Sequence, residues 1–466
     1  MTEYPSVLIP VSLVLGLLLA ASRPYAAFLA AVFVIVAGGG EYLNATRTEA
    51  LGPYLNLLDV WTAVSLAAMV FDLEQRRRKI RAPVYVPLLL MLLAFATVQD
   101  FARYGVSYES VRALRWAIQF PLAVLVGANL VTDAQRARRL LQALLGGAVA
   151  AALMHFAYIA VRFDARQLAA GSYQAIRTVI FLDGGLTPAL LVTAVAWPVG
   201  RGPEGRPLGL AKLLGLLVAG TLFVASMALS LTRSVWIATV AALPAAAMVY
   251  RHRERRRPAG RRAALGPLLA TMAVLAVVAS VTVASLFPQI SLGRVVVERV
   301  EGLFDPEINR VSVGTRRAAA EIELGDWLDG TLLLGRGLFF FQEHMREREE
   351  ATLAQYGFGH LGYVTYLSQL GLVGLLLYGV YVPVAVVGDS RRTWRSAEAP
   401  ASRYLALLAG CCILYHAIMF AMSSSLLMLW TFAPGILAGA AWRQGSAFAG
   451  QAVPDRDRQK SPVRSL

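Results

Sequence analysis

Apolar residues run along this chain in long unbroken stretches, and each stretch ends at a short arginine cluster or a brief polar turn. Leu208 to Ala225 and Ala264 to Phe287 are typical. Each is close to the roughly 20 residues an α-helix needs to cross the hydrocarbon layer of a bilayer. Lipid offers the backbone no hydrogen-bond partner, so runs of this kind predict membrane-spanning helices. The alternation of polar and apolar positions that a transmembrane barrel strand requires is absent, which excludes a β-barrel. The predicted fold is all-α and polytopic.

The arginines orient the helices. Basic blocks lie at Arg76, Arg77, Arg78, Lys79 and Arg81; at Arg136, Arg138 and Arg139; at Arg201 and Arg206; from Arg251 to Arg262; and at Arg391, Arg392 and Arg395. The positive-inside rule assigns all five to the cytoplasm. Two helices fit between consecutive blocks, so outer turns are expected near Asp100 to Arg112, Arg162 to Arg177, Ser226 to Arg233, Pro288 to His360 and Ser423 to Ser425. Val7 to Ala21 and Tyr25 to Gly38 read as two short helices joined at Ser22-Arg23-Pro24. That gives 13 spans with the N-terminus outside; if the pair is one broken element, the count is 12.

The stretch from Pro288 to His360 differs from every other connection. It holds 12 of the chain's 29 acidic residues in 73 positions, which suits an outer location, and its length predicts a small, partly helical cap. Arg316 to Leu328 has helical apolar spacing, and Asp326 to Gly337 reads as turn-rich around Leu332-Leu333-Leu334. The expected division is N-terminal transmembrane helices over 1–287, a large periplasmic loop over 288–360, C-terminal transmembrane helices over 361–442 and a cytoplasmic tail over 443–466. Inverted repeats of the transporter kind are not evident.

Composition agrees with a membrane location. Hydrophobic residues make up 57% and charged residues 16%, whereas soluble domains carry about a quarter charged residues. The net charge of +15 could suggest nucleic acid, but the cations sit in loop blocks between apolar runs, and nucleic-acid binding is not expected. Adjacent Cys411 and Cys412 lie within an apolar run and suit neither a disulfide nor a metal site. Met1 to Pro5 lacks the basic region of a cleavable leader, so none is expected. No Asp-x-Asp, His-Glu-x-x-His or Walker-type loop occurs, so neither a metal nor another cofactor is expected.

Each of the five histidines can be weighed separately. His252 lies in a cytoplasmic arginine block. His155 and His416 fall inside spans, where a hydrogen-bonded packing role is usual. His344 belongs to the charged stretch Gln342 to Glu350, which reads as an exposed helix face. His360 ends the acidic loop and opens the next span, where it is either an interfacial anchor or a base held at headgroup depth.

The sequence around His360 bears on that choice. His360-Leu-Gly-Tyr363-Val-Thr-Tyr366 followed by Gly371-Leu372-Val373-Gly374-Leu375 resembles the signature of O-antigen ligases and Wzy-type polysaccharide polymerases. Leu334-Gly335-Arg336-Gly337 is similar to that family's Gly-x-Gly turn, and Gly314-Thr315-Arg316 with Trp327 is similar to the start of its loop helix. Leu229 to Ala238, with Arg233 and Trp236, resembles its Ser-Arg-x-x-Trp segment. Two positions depart from the pattern: Leu361 stands where asparagine is common, and Gln369 where glutamate is common.

The resemblance implies a GT-C-like membrane glycosyltransferase of the bacterial inner membrane with its active site facing the periplasm. Its donor would be a glycan on undecaprenyl diphosphate, and its acceptor either the lipid A core or another lipid-linked glycan. His360 would be the general base. Arg233 and Arg316, with Arg177 as a third candidate, would hold the diphosphate, because guanidinium groups bind phosphate bidentately and stay charged. Arg317 beside Arg316 leaves that assignment open, and Arg233 also reads as a snorkelling interfacial residue. Ligation and polymerisation both fit. A flippase for lipid-linked sugars is the alternative, disfavoured by the large one-sided loop.

Overall fold

The computed structural model describes residues 8–38, 56–106, 108–162, 209–229, 237–242, 245–246, 281, 285, most positions between 317 and 328, 331–338, 362–421 and 432–451. Regular structure among them is helical. The helices are α1 (Leu8–Ser22), α2 (Pro24–Gly38), α3 (Leu57–Gln75), α4 (Tyr85–Tyr104), α5 (Tyr108–Leu130), α6 (Ala134–Arg162) and α7 (Leu210–Leu229). After them come α8 (Gly362–Gly374), a π-helical turn (Leu375–Tyr381), α9 (Val382–Ser396), α10 (Pro400–Phe420) and α11 (Phe432–Gln451). Among the described residues, four helical stretches are long and apolar enough to cross a bilayer: α4, α6, the α8–α9 stretch and α10. The chain is an all-α polytopic membrane protein.

Residues 8–38 form two short apolar helices separated at Arg23. Both α1 and α2 pack on α3, and α2 also packs along α6. The final helix continues to Gln451, past the expected boundary at 442. Gln444 holds that extension, its Nε2 donating to the Val131 carbonyl (3.0 Å), and just before it the Thr393 hydroxyl donates to the Ala441 carbonyl (2.7 Å).

Small residues bring α5 and α11 into close contact. A side chain at Gly439 would strike the backbone carbonyl of Val124, and one at Gly127 would strike that of Ile436. Gly435 and Gly439 are four apart, so both open the same helix face, the usual way that membrane helices bring their backbones together.

Two of the arginine-bearing turns meet at one end of the bundle. Asp72, buried at the end of α3, accepts from Arg136 Nη2 (2.8 Å) and Arg76 Nε (3.1 Å), and pairs with Arg78. The Arg136 guanidinium also lies 4.6 Å from the centre of the Tyr25 ring. Asn129 grips the Arg81 main chain through both its N–H (2.9 Å) and its carbonyl (2.8 Å). This clustering supports the one-sided assignment of the basic loops. Replacing Asp72 with alanine leaves the buried Arg136 with only the longer carboxylate contact to Asp133 (3.7 Å) among the described residues, and breaking a buried pair typically costs about 3–5 kcal/mol. Thermal unfolding in detergent is therefore expected to show a clearly lowered midpoint, and an unchanged midpoint would remove the pair from the account of stability.

Candidate active site

At the opposite end, three segments converge: the end of α4, the turn Thr331 to Leu338, and the start of α8. The turn and the helix exchange main-chain hydrogen bonds. The N–H groups of Arg336 and Gly337 donate to the carbonyls of Ser368 and Gln369 (both 2.9 Å). Those of Leu372 and Val373 donate to Leu332 (3.0 Å) and Leu333 (3.1 Å). A helix interior has no spare donors or acceptors for such pairing, so α8 must open, and it does so at Gly371 (φ 65°, ψ −167°). The stretch that reads in sequence as the start of a single membrane helix is thus two helical pieces with an unwound joint.

Glycine is needed on both sides of this contact. Gly335, Gly337 and Gly371 all have positive φ, where a side chain is strained. A Cβ on Gly371 would meet the Leu333 carbonyl, and one on Gly337 would meet the carboxylate of Asp100. The two glycine motifs, more than thirty positions apart in the sequence, form one structural unit.

Helix α4 supports this unit from the side. The buried Asp100 carboxylate accepts from the Leu338 N–H (2.9 Å), Gln99 Nε2 donates to the Gly335 carbonyl (3.2 Å), and Arg103 Nη1 donates to the Arg336 carbonyl (2.9 Å). Within the turn, the Thr331 hydroxyl donates to the Gly335 carbonyl. Trp327 Nε1 donates to the Leu332 carbonyl (2.9 Å). The segment from 317 to 328, helical where described, also meets α8, where the Thr365 hydroxyl donates to the buried Glu323 carboxylate (3.2 Å).

Aromatic side chains tie α8 to α10. The Tyr363 hydroxyl donates to the Ala417 carbonyl (2.8 Å), and the Tyr366 ring stacks on Tyr378 (5.3 Å) and Phe420 (5.2 Å). Beneath them is a narrow cleft of about 50 Å³ whose lining includes Leu93, Phe120, Leu370, Gln369 and His416. Gln369 Nε2 donates to the Leu338 carbonyl (3.3 Å). Its Oε1 and His416 Nε2 are buried and have no hydrogen-bond partner among the described residues. The hydrogen-bonded packing role expected of intramembrane histidines therefore holds for His155, which meets Ser226 Oγ at 2.7 Å, and not for Nε2 of His416. Cys411 and Cys412 are buried free thiols.

His360, Arg233, Arg316 and Arg177, together with His344 and His252, lie outside the described residues. What the structure adds is their setting: α8 begins two residues after His360. Of the adjacent arginines in the loop helix, Arg317 is exposed and paired with Glu321 (2.8 Å). Asp100, Gln99 and Arg103 had no sequence signal beyond their place at an outer turn. Arg336 had one, the Gly-x-Gly spacing that encloses it. Among the described residues no cluster of metal-ligating side chains occurs.

Comparison with known proteins gives one finding for this part of the chain: residues 216–379 match the family model described as O-antigen ligase. That range includes the turn, the break in α8 and His360. No curated protein matches the chain.

Proposed function

From a chain that carries the O-antigen ligase pattern over residues 216–379, and so belongs with the O-antigen ligases and Wzy-type polymerases, we propose a membrane glycosyltransferase that moves a glycan from undecaprenyl diphosphate to an acceptor hydroxyl at the periplasmic face. The observation that carries this reading is the joining of the Gly335-Arg336-Gly337 turn to the break at Gly371, at the end of the bundle remote from the basic turns and beside the helix that His360 precedes.

In this mechanism His360 accepts the proton of the acceptor hydroxyl as that oxygen attacks the anomeric carbon. The bond to the diphosphate breaks on the opposite face, and the electron pair leaves with the phosphate. A single displacement without a protein nucleophile inverts the anomeric centre. Negative charge grows on the diphosphate as the bond breaks, so cations fixed near it favour the transition state over the ground state. Arg233, Arg316 and Arg177 are assigned that task. Arg317 is already committed to Glu321, which favours Arg316 of the two. Arg103 and Arg336 belong to the hydrogen-bonded unit on α8, the helix that His360 precedes in sequence, and are further candidates for contact with the diphosphate. No metal is assigned a role.

Replacing Arg233 or Arg316 by lysine keeps the charge but removes the bidentate fork. Turnover is expected to fall about ten- to a hundredfold, equivalent to roughly 1.4–2.8 kcal/mol of lost transition-state binding. Wild-type turnover in either variant would reduce that arginine to an interfacial anchor. The reaction itself is tested by glycan profiling of a deletion strain. Accumulated long lipid-linked chains mean ligation; single units on the acceptor in place of chains mean polymerisation; an unchanged profile rejects both. Orientation is tested by placing a cysteine at Glu301 and adding an impermeant thiol reagent to spheroplasts. Labelling is expected before lysis, and labelling only after lysis would reverse the topology.

A further inference from the structure

We propose that the basic end of α9 is a binding site for the phosphate of an anionic phospholipid, with the lipid's acyl chains lying along the same helix. Gly388, Arg391, Arg392, Arg395 and Ser396 line an open depression of about 440 Å³. Positions 388, 391, 392 and 395 follow the i, i+3, i+4, i+7 spacing of one helix face, so the three guanidinium groups share a side. Gly388 leaves that side hollow, since a Cβ there would meet nothing within 4 Å.

Among the described residues the charges are not used up. Arg392 lies 3.4 Å from Asp389, whereas Arg391 and Arg395 have no carboxylate partner there. Arg391 Nε is buried and has no hydrogen-bond partner among the described residues. A phosphate oxygen would satisfy it, and guanidinium groups suit phosphate in geometry as well as charge. The negative end of the helix dipole opposes an anion here by about half a charge, so the arginines must supply the attraction.

The same face identifies the anion as a lipid's. One and two turns before Gly388, it carries Val384 (65% exposed) and Tyr381 (43% exposed). Seven residues of helix rise, roughly 10 Å, separate Val384 from Arg391. An acyl chain against Val384 and Tyr381 therefore brings its headgroup to the arginines, which a free phosphate ion would have no reason to match. By the positive-inside rule, the lipid belongs to the cytoplasmic leaflet.

The test uses the full chain in detergent, titrated with phosphatidylglycerol or phosphatidylcholine, with bound lipid counted by native mass spectrometry. Wild-type protein is expected to retain phosphatidylglycerol selectively, and Arg391→Gln/Arg395→Gln to bind it about tenfold or more weakly. Arg77→Gln/Lys79→Gln removes the same charge from the same end of the bundle and should bind as wild type. Equal loss in both double variants would mean diffuse attraction and would overturn the site. Inorganic phosphate that displaces phosphatidylglycerol completely at millimolar concentration would overturn the lipid assignment in favour of a soluble anion. If the Arg391/Arg395 variant fails to fold, Gly388→Leu fills the depression while keeping every charge. It should lose selectivity for phosphatidylglycerol, and retained selectivity would overturn the proposal.

Discussion

Purified His360→Ala protein, supplied with a polyprenyl-diphosphate-linked glycan and an acceptor, is expected to turn over about two to four orders of magnitude more slowly than wild type, the usual contribution of a positioned general base. A sugar hydroxyl is a poor nucleophile near neutral pH, and an imidazole, titrating near 6.5 when unperturbed, is suited to take its proton as attack proceeds. The residue precedes α8 by two positions, and α8 is fixed by the turn at Arg336, by Glu323 through Thr365, and by Tyr363 bonding to Ala417 on α10. Those bonds are made by other residues, so the alanine variant is expected to keep its expression, thermal midpoint and donor affinity. The KM for donor should hold while kcat falls. Turnover within a few-fold of wild type would leave His360 an interfacial anchor and move attention to His344.

Gly371→Val carries the second large effect. Valine is β-branched and strained at a φ of 65°, and its Cβ would meet the Leu333 carbonyl. The substitution has no cheap relaxation, because the obstacle is backbone rather than the end of a flexible side chain. If the joint closes into regular helix instead, the four hydrogen bonds to the turn lose their partners. Either route should cost roughly 3 kcal/mol or more and disconnect the turn from α8. We expect turnover to fall at least a hundredfold, with a lowered thermal midpoint, and Gly371→Ala to show the same changes more mildly. A valine variant with wild-type midpoint and turnover would mean that the joint has no part in the active protein.

The sequence and the structure agree where local chemistry decides. Apolar runs mark helices because lipid permits little else, and arginine blocks mark one side because moving them across is costly. Arg316 to Leu328 reads as helical from its apolar spacing and is helical where described, and the turn at Leu332 to Leu334 was legible from its glycines and aspartates. The contact between Gly335 and Gly371 was not, although both motifs stood out separately. Main-chain hydrogen bonds between distant segments leave no mark on side-chain periodicity. Asp72 shows a related blindness: the arginines assigned to loop blocks include Arg136, buried against a carboxylate. Gln369 reads as a departure from a family pattern, yet it is buried and hydrogen-bonded to the turn. Of the candidate site, sequence supplied the chemistry and the order of the motifs, and the fold supplied the partner segments, α4 above all.

The joining of the turn to α8 also has a consequence for how freely the chain between them can change. The 23 residues from 339 to 361 leave the same hydrogen-bonded unit that they return to, because Leu338 and Gly362 flank it on either side. Closing such a loop depends only weakly on its length, and doubling the number of residues adds about 0.6 kcal/mol. Insertions and deletions near its middle should therefore leave the anchored ends almost undisturbed. On the proposed function, the general base His360 stands two positions from an anchored end in the sequence. Sequence change can then accumulate in a segment whose length costs little, without any renegotiation of the chemistry.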